Sequence, residues 1–232
     1  MKMRNGVFLM CGRFSLTEDI SALQQYFDFE ISEEISPRYN IAPSQRILTV
    51  ISDGHERRAG TMKWGLVPFW AKDEKIGYKM INARAEGIDE KPSFKHAFKR
   101  RRCLVVADGF YEWKKQEDGN KQPYRFIMKN KKPFAFAGLW ETWKKGQQPL
   151  HSCTIITTTP NEVTEDVHDR MPVILHQDSF DLWLNPKNDD TEHLKSLLVP
   201  FPAEEMDLYP VSTMVNSPKN DIADILTPLN SM

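Results

Sequence analysis

The sequence predicts an α+β protein, a single domain on a mostly antiparallel sheet. Three observations carry this. Strand-like and helix-like segments are mixed without a regular βαβ alternation. Turn signals such as Asp53-Gly54 and Gly119 separate β-rich segments. The length of 232 residues suffices for one large domain with a substantial core.

The elements follow in order. Thr17 reads as an N-cap, with Glu18 and Asp19 in a first turn. Ile20, Leu23 and Phe27 recur at helical spacing, which predicts a helix over 18–28. A proline-punctuated loop, SPRYNIAPSQ, comes next. Arg46–Ser52 alternates and is β-branched, Asp53-Gly54 is a hairpin turn, and Arg57–Trp64 returns as the partner strand. A loop carrying Pro68, Phe69 and Trp70 leads to a short helix over 92–100, with Pro92 at its start. Arg102–Trp113 is a long strand interrupted at Asp108-Gly109. Tyr124–Met128, Phe134–Trp140 and Cys153–Thr158 are further strands. Asn161–Val167 reads as a helical turn, 179–184 and 191–198 as helices, and Leu208–Ser212 as the last strand. Contacts between the first and last strands are expected to close one domain.

Charge and cysteine usage narrow the function. Lys plus Arg count 31 against 32 Asp plus Glu, a net charge of -1. This excludes a globally basic nucleic-acid coat protein but leaves room for a local basic groove. Apolar runs fall far short of the roughly 18 residues of a membrane span, so no membrane partner is expected. Lys2 and Arg4 precede an apolar patch, Val7 to Met10, that is too short for a secretion signal. Three cysteines without a CxxC argue against a disulfide framework and for a reducing, cytoplasmic location. His151 and Cys153 stand two apart, a spacing that strand alternation explains, so no metal is expected.

Four polar residues sit in short apolar or turn-rich contexts: Cys11 in MCGRF, Asn82 in INARAE, Glu112 in DGFYEW and His168 in DVHDRMPV. Singly, each has an ordinary alternative: a buried thiol, a cap, a solvent-facing strand residue, a helix-end histidine. Together they supply a nucleophile, an amide, an acid and a base.

The segments MCGRF (10–14), RYNIAPSQ (38–45), WGLVPFW (64–70), INARAE (81–86), ADGFYEWKK (107–115), KQPYRF (121–126), DVHDRMPVIL (166–175) and PVSTMVNSPKN (210–220) resemble, in order, the SOS-response-associated-peptidase (SRAP) family. The resemblance implies a barrel-like, mostly antiparallel β-sheet core flanked by short helices. It implies a covalent sensor of abasic sites in single-stranded DNA, with Cys11 as the N-terminal residue of the mature protein. The α-amine of Cys11 would form a Schiff base with the open-chain sugar aldehyde, and its thiol would close a thiazolidine. By the same resemblance Glu112 is the general acid/base, His168 a proton relay, and Asn82 the residue orienting amine and sugar. Arg13 and Arg84 would hold phosphates, and Trp70, Trp113 and Pro43 would meet bases. The other tryptophans, Trp64, Trp140, Trp143 and Trp183, are expected in packing roles. The chemistry needs no cofactor, and a monomer is expected, associated with the nucleoid when crosslinked. The alternatives are a thiol peptidase acting on itself or other proteins, and a non-covalent reader of modified DNA bases.

Nine residues precede Met10, whereas the family begins Met-Cys-Gly-Arg-Phe. Residues 1–10 are therefore expected to be an extension absent or removed in the mature protein, leaving 11–232 as the functional domain. Translation starting at Met10, or self-cleavage before Cys11, would expose the amine. The stretch Lys99-Arg100-Arg101-Arg102 is read as a solvated helix end rather than a DNA-tracking patch.

Overall fold

The computed structural model describes residues 11–229. The expected extension over 1–10, with its start or cleavage site, lies outside the described residues.

The strands are β1 (Phe14–Leu16), β2 (Arg38–Ile41), β3 (Arg46–Ser52), β4 (Arg57–Trp64), β5 (Asn82–Arg84), β6 (Arg102–Ala107), β7 (Gly109–Lys115), β8 (Lys121–Met128), β9 (Phe134–Trp143), β10 (Leu150–Thr158), β11 (Met171–Pro172), β12 (Ile174–Leu175) and β13 (Met206–Pro210). The short helices are α1 (Ile20–Phe27), α2 (Lys95–Arg100), α3 (Phe180–Leu184) and α4 (Thr191–Ser196).

Two sheets form the fold. One has the order β13-β8-β7-β1-β2 and is antiparallel throughout. In the other, β10, β4, β3, β6 and β9 pair successively, and β9 returns to pair with β10, closing a five-stranded barrel. Closure removes the edges an open sheet would expose. Among the described strands, only β4–β10 and β5–β10 pair in parallel. The α+β, barrel-like prediction holds.

Several boundaries differ from expectation for local reasons. Thr17 is not the N-cap of α1. The Asp19 carboxylate accepts from the Ser21 amide and starts the helix there. The Thr17 hydroxyl instead donates to Asp108 at 2.7 Å, which ties β1 to the β6–β7 junction. Pro92 opens a turn, and α2 begins three residues later. The last described strand runs 206–210 and pairs with β8; β7 and β8 separate it from β1, so the first and last strands share a sheet without the expected contact as neighbours.

The Asp108-Gly109 interruption lets the chain pass from the barrel into the other sheet. A Cβ on Gly109 would lie 2.7 Å from Arg125 Nε, closer than side-chain carbons approach, so a larger residue there would push the buried guanidinium aside. Trp64 and Trp183 are fully buried, and each indole N–H finds a backbone carbonyl, Ile81 at 2.8 Å and Cys103 at 3.0 Å. Trp143 is buried and Trp140 packs half-buried on the core, as expected. Each fully buried large apolar side chain contributes about 1.5–3 kcal/mol.

Candidate active site

The site forms where the two sheets meet. Cys11 lies three residues before the start of β1, and Glu112 lies on β7, two strand positions beyond the Phe110 that pairs with Phe14. His168 comes from the loop after β10. Residues 101 positions apart are thereby joined: the Cys11 backbone nitrogen donates to Glu112 Oε1 at 2.5 Å. Cys11 adopts φ 43°, a left-handed conformation few non-glycine residues accept, and its thiol also hydrogen-bonds Glu112. Both reactive atoms of Cys11 thus face one carboxyl group.

Burial dominates the electrostatics. Glu112 is only 3% exposed, and desolvation raises its pKa above the ordinary carboxylate value, opposed by nearby His168 and the bonds from Cys11. Burial pushes the Cys11 thiol well up, and the Glu112 charge pushes it further, while Arg170 opposes. The thiol therefore stays protonated at neutral pH. His168 is mostly covered, and its Nδ1 lies 3.2 Å from the Arg170 amide, a contact in which the ring nitrogen accepts. In a charged ring Nδ1 would instead donate to Asp169, 3.0 Å away.

Asn82 is half-buried on β5, where Ile155 of β10 is its register partner, and its amide donates to the Ile155 carbonyl only at 3.5 Å. It neither caps a helix nor, among the described residues, hydrogen-bonds Cys11, Glu112 or His168. Arg84, on the same strand, is exposed, and its guanidinium has no bond among the described residues. Trp70 is 43% exposed. Pro43 is half-buried in the loop between β2 and β3. The Trp113 indole donates to Asn216 Oδ1 at 2.7 Å, and the Arg13 guanidinium sits 5.7 Å from its ring centroid.

Arg170 is a site residue that sequence reasoning missed. It is buried, and it grips Glu86 through both nitrogens at 2.6 and 2.9 Å and the Thr157 carbonyl at 2.7 Å. This bidentate pair clamps the end of the INARAE segment to the His168 loop and lowers the Glu86 pKa. A signal was available in the sequence: Arg170 directly precedes the apolar run MPVIL, where a charged side chain is drawn inward and needs partners.

Arg102 answers the question of the basic stretch. It is buried and donates to the carbonyls of Phe98, Lys99, Trp183, Asn185 and Asn188. It closes the C-terminus of α2 and ties it to α3, so Arg102 departs from the expected solvated helix end, whereas Lys99 and Arg100 are exposed there. Among the described residues no cluster of His, Cys, Asp and Glu could hold a metal, and no helix is long and apolar enough to cross a membrane.

The sheet that carries β1 and β7 thus brings the Cys11 thiol and nitrogen against a buried carboxyl, with the His168 imidazole near enough to act on Glu112 electrostatically, and comparison supplies the family. The SOS response associated peptidase (SRAP) family model matches residues 10–218, and the chain belongs to that family. It is 52% identical over 227 residues to the abasic site processing protein YoaM of Bacillus subtilis (strain 168), covering 96% of this chain and 100% of that one. It is 36% identical over 226 residues to the abasic site processing protein HMCES of Gallus gallus, covering 83% of this chain and 66% of that one. A crystal structure of a Bacteroides thetaiotaomicron protein superposes with a TM-score of 0.85 at 29% identity, covering 95% of this chain and all of that one.

Proposed function

We propose that this chain processes abasic sites in single-stranded DNA by forming a covalent link through Cys11. The observation that carries the reading is the 2.5 Å contact between the Cys11 nitrogen and Glu112. In a chain that begins at Cys11, that nitrogen is an α-amine with a pKa of about 7.7–8.0, against about 10.4 for lysine. Roughly a tenth of it is free at neutral pH. A carboxyl whose pKa is raised by burial is a stronger base than an exposed one, so Glu112 can take the ammonium proton.

The free amine adds to C1′ of the open-chain sugar and gives a carbinolamine. Glu112 returns its proton to the departing hydroxyl, water leaves, and the carboxylate then takes the N–H proton of the iminium, leaving an imine. The Cys11 S–H then adds across the C=N bond: sulfur bonds C1′ and the proton passes to nitrogen. One water is released overall. The five-membered ring closes intramolecularly, which favours it strongly. His168, with its Nε2–H as donor, would steady the sugar oxygen, and Asn82 would orient the sugar beside the amine. Arg13 and Arg84 would take the flanking phosphates, with Trp70, Trp113 and Pro43 against bases.

Burial favours the protonated Cys11 thiol, whereas a thiol peptidase attacks as the thiolate. In the thiazolidine route the thiol reacts last, on an electrophilic imine. The test is incubation with a single-stranded oligonucleotide bearing an abasic site, followed by heating and denaturing electrophoresis, with the N-terminus established by intact mass. A chain beginning at Cys11 is expected to give a heat-stable shifted band, lost in Cys11→Ser and on blocking the α-amine. An equally efficient crosslink from a chain retaining Met1 would overturn the mechanism.

A further inference from the structure

The segment from Val215 to Asp221 lies over β2, and one buried side chain anchors it. Asn40 is fully buried on β2. Its Oδ1 accepts from Arg13 Nη1 at 2.7 Å, and its Nδ2 donates to the carbonyls of Val215, Ser217 and Asn220 at 3.2, 3.0 and 2.7 Å. Two N–H groups shared among three carbonyls use the whole donor capacity of the amide. Arg13 Nη1 reaches the same Val215 carbonyl at 2.5 Å. One residue on, Asn216 fixes the Trp113 indole. The far end of the segment is pinned by the Asp221 carboxylate, which accepts from the Tyr39 and Asn40 amides at 2.5 and 2.9 Å and pairs with Arg38 at 2.5 Å.

These bonds commit one terminal nitrogen of Arg13 and leave the other, Nη2, without a partner among the described residues. The guanidinium is also held against the Trp113 ring. An arginine otherwise samples many rotamers, and fixing them on binding opposes affinity.

We propose that Asn40 and the Val215–Asp221 strap form a positioning device that presents Arg13 Nη2 and the Trp113 ring, already fixed, to the DNA strand beside the reacting nucleotide. Asn40 acts through Arg13. The inference rests on the reading of Arg13 as a phosphate ligand, but not on the covalent chemistry.

The test is equilibrium binding of a single-stranded oligonucleotide carrying a tetrahydrofuran abasic analogue, which has no aldehyde and cannot crosslink. Fluorescence anisotropy over a salt series gives Kd and its salt slope for the wild type, Arg13→Ala, Asn40→Ala, Asp221→Ala and the Arg13→Ala/Asn40→Ala double variant. Arg13→Ala is expected to raise Kd about tenfold and to reduce the log–log salt slope by about 0.7, one phosphate contact on a single strand. Asn40→Ala is expected to raise Kd at least threefold, and the double variant to bind no more weakly than Arg13→Ala. Asp221→Ala, on a partly exposed group, is expected to move Kd in the same direction and decides the matter if Asn40→Ala does not fold. Unchanged Kd in folded Asn40→Ala or Asp221→Ala, or losses that add in full in the double variant, would overturn the inference. An unchanged Kd and slope in Arg13→Ala would overturn the reading of Arg13 itself. A missing crosslink with natural abasic DNA, beside the expected binding changes, would count only against the proposed chemistry.

Discussion

Replacing Glu112 by Gln removes one ionisable proton and keeps the shape of the side chain. An amide oxygen can still accept from the Cys11 nitrogen, so the 2.5 Å contact survives as a neutral hydrogen bond. What disappears is the acid/base. Proton transfer by a positioned group contributes typically about 10²–10⁴-fold to a rate, so Glu112→Gln should lower the maximal crosslinking rate at least ~10²-fold. Affinity for the non-reactive analogue should stay within about twofold, because Glu112 is buried and has no reach to phosphates. Stability gives an independent check in the chain where Cys11 remains in a peptide bond. The folded-state pKa of Glu112 is raised, so between the ordinary value of about 4.3 and the raised value the native state holds more protons than the unfolded state. Stability from this group therefore falls as pH rises through that window. Glu112→Gln should melt higher than wild type at neutral pH, and the difference should vanish on acidification below the ordinary glutamate value. Single-turnover crosslinking and thermal melts across pH measure both. A wild-type crosslinking rate in Glu112→Gln would remove the carboxyl from the mechanism, and a Tm difference constant with pH would refute its buried ionisation.

Other outcomes follow from particular contacts. Arg102→Ala should destabilise by about 3–5 kcal/mol, because the helix-end and loop carbonyls it serves lose their donor; chemical denaturation measures this, and the salt slope of DNA binding should not change. Gly109→Ala places a methyl 2.7 Å from Arg125 Nε and should cost about 1–3 kcal/mol by the same assay, with slower crosslinking because β7 carries Glu112. Trp70→Ala, at a 43% exposed ring, should leave Tm nearly unchanged and weaken binding of the abasic analogue by about 1–3 kcal/mol, the worth of one stacked base. Raising pH from about 6 to 8 should speed crosslinking as the Cys11 α-amine loses its proton, and acetylation of that amine should abolish the response.

Local pattern made much of the fold legible. The Arg46–Ser52 and Arg57–Trp64 hairpin is present at the bounds its alternation and Asp-Gly turn predict. The Asp108-Gly109 break is real, with β6 ending at Ala107 and β7 starting at Gly109, where the Arg125 guanidinium packs against the glycine. Where prediction missed, a distant partner had won. Thr17 gave up its capping role to bond Asp108, 91 residues away. Barrel closure was absent from the pattern, since the β9–β10 pairing looks locally like any hairpin until β10 also meets β4. At the site, Cys11, Glu112 and His168 stood out by residue type and motif. The apolar run after Arg170 signals its burial but not its partner Glu86, 84 residues away, and Asn40 gave no signal because its partners lie up to 180 residues away.

The sequence by itself determined the family, the α+β class and the residue types that any imine chemistry here would use, because motifs and periodicity are properties of neighbours along the chain. Only the tertiary structure decided which groups meet and in what protonation state. It set the Cys11 nitrogen against Glu112, and it buried the carboxyl and thiol deeply enough to raise both pKa values. It also turned Arg102 inward onto backbone carbonyls. Contact distance and desolvation depend on what packs around an atom, and that packing is assembled from segments far apart in the chain.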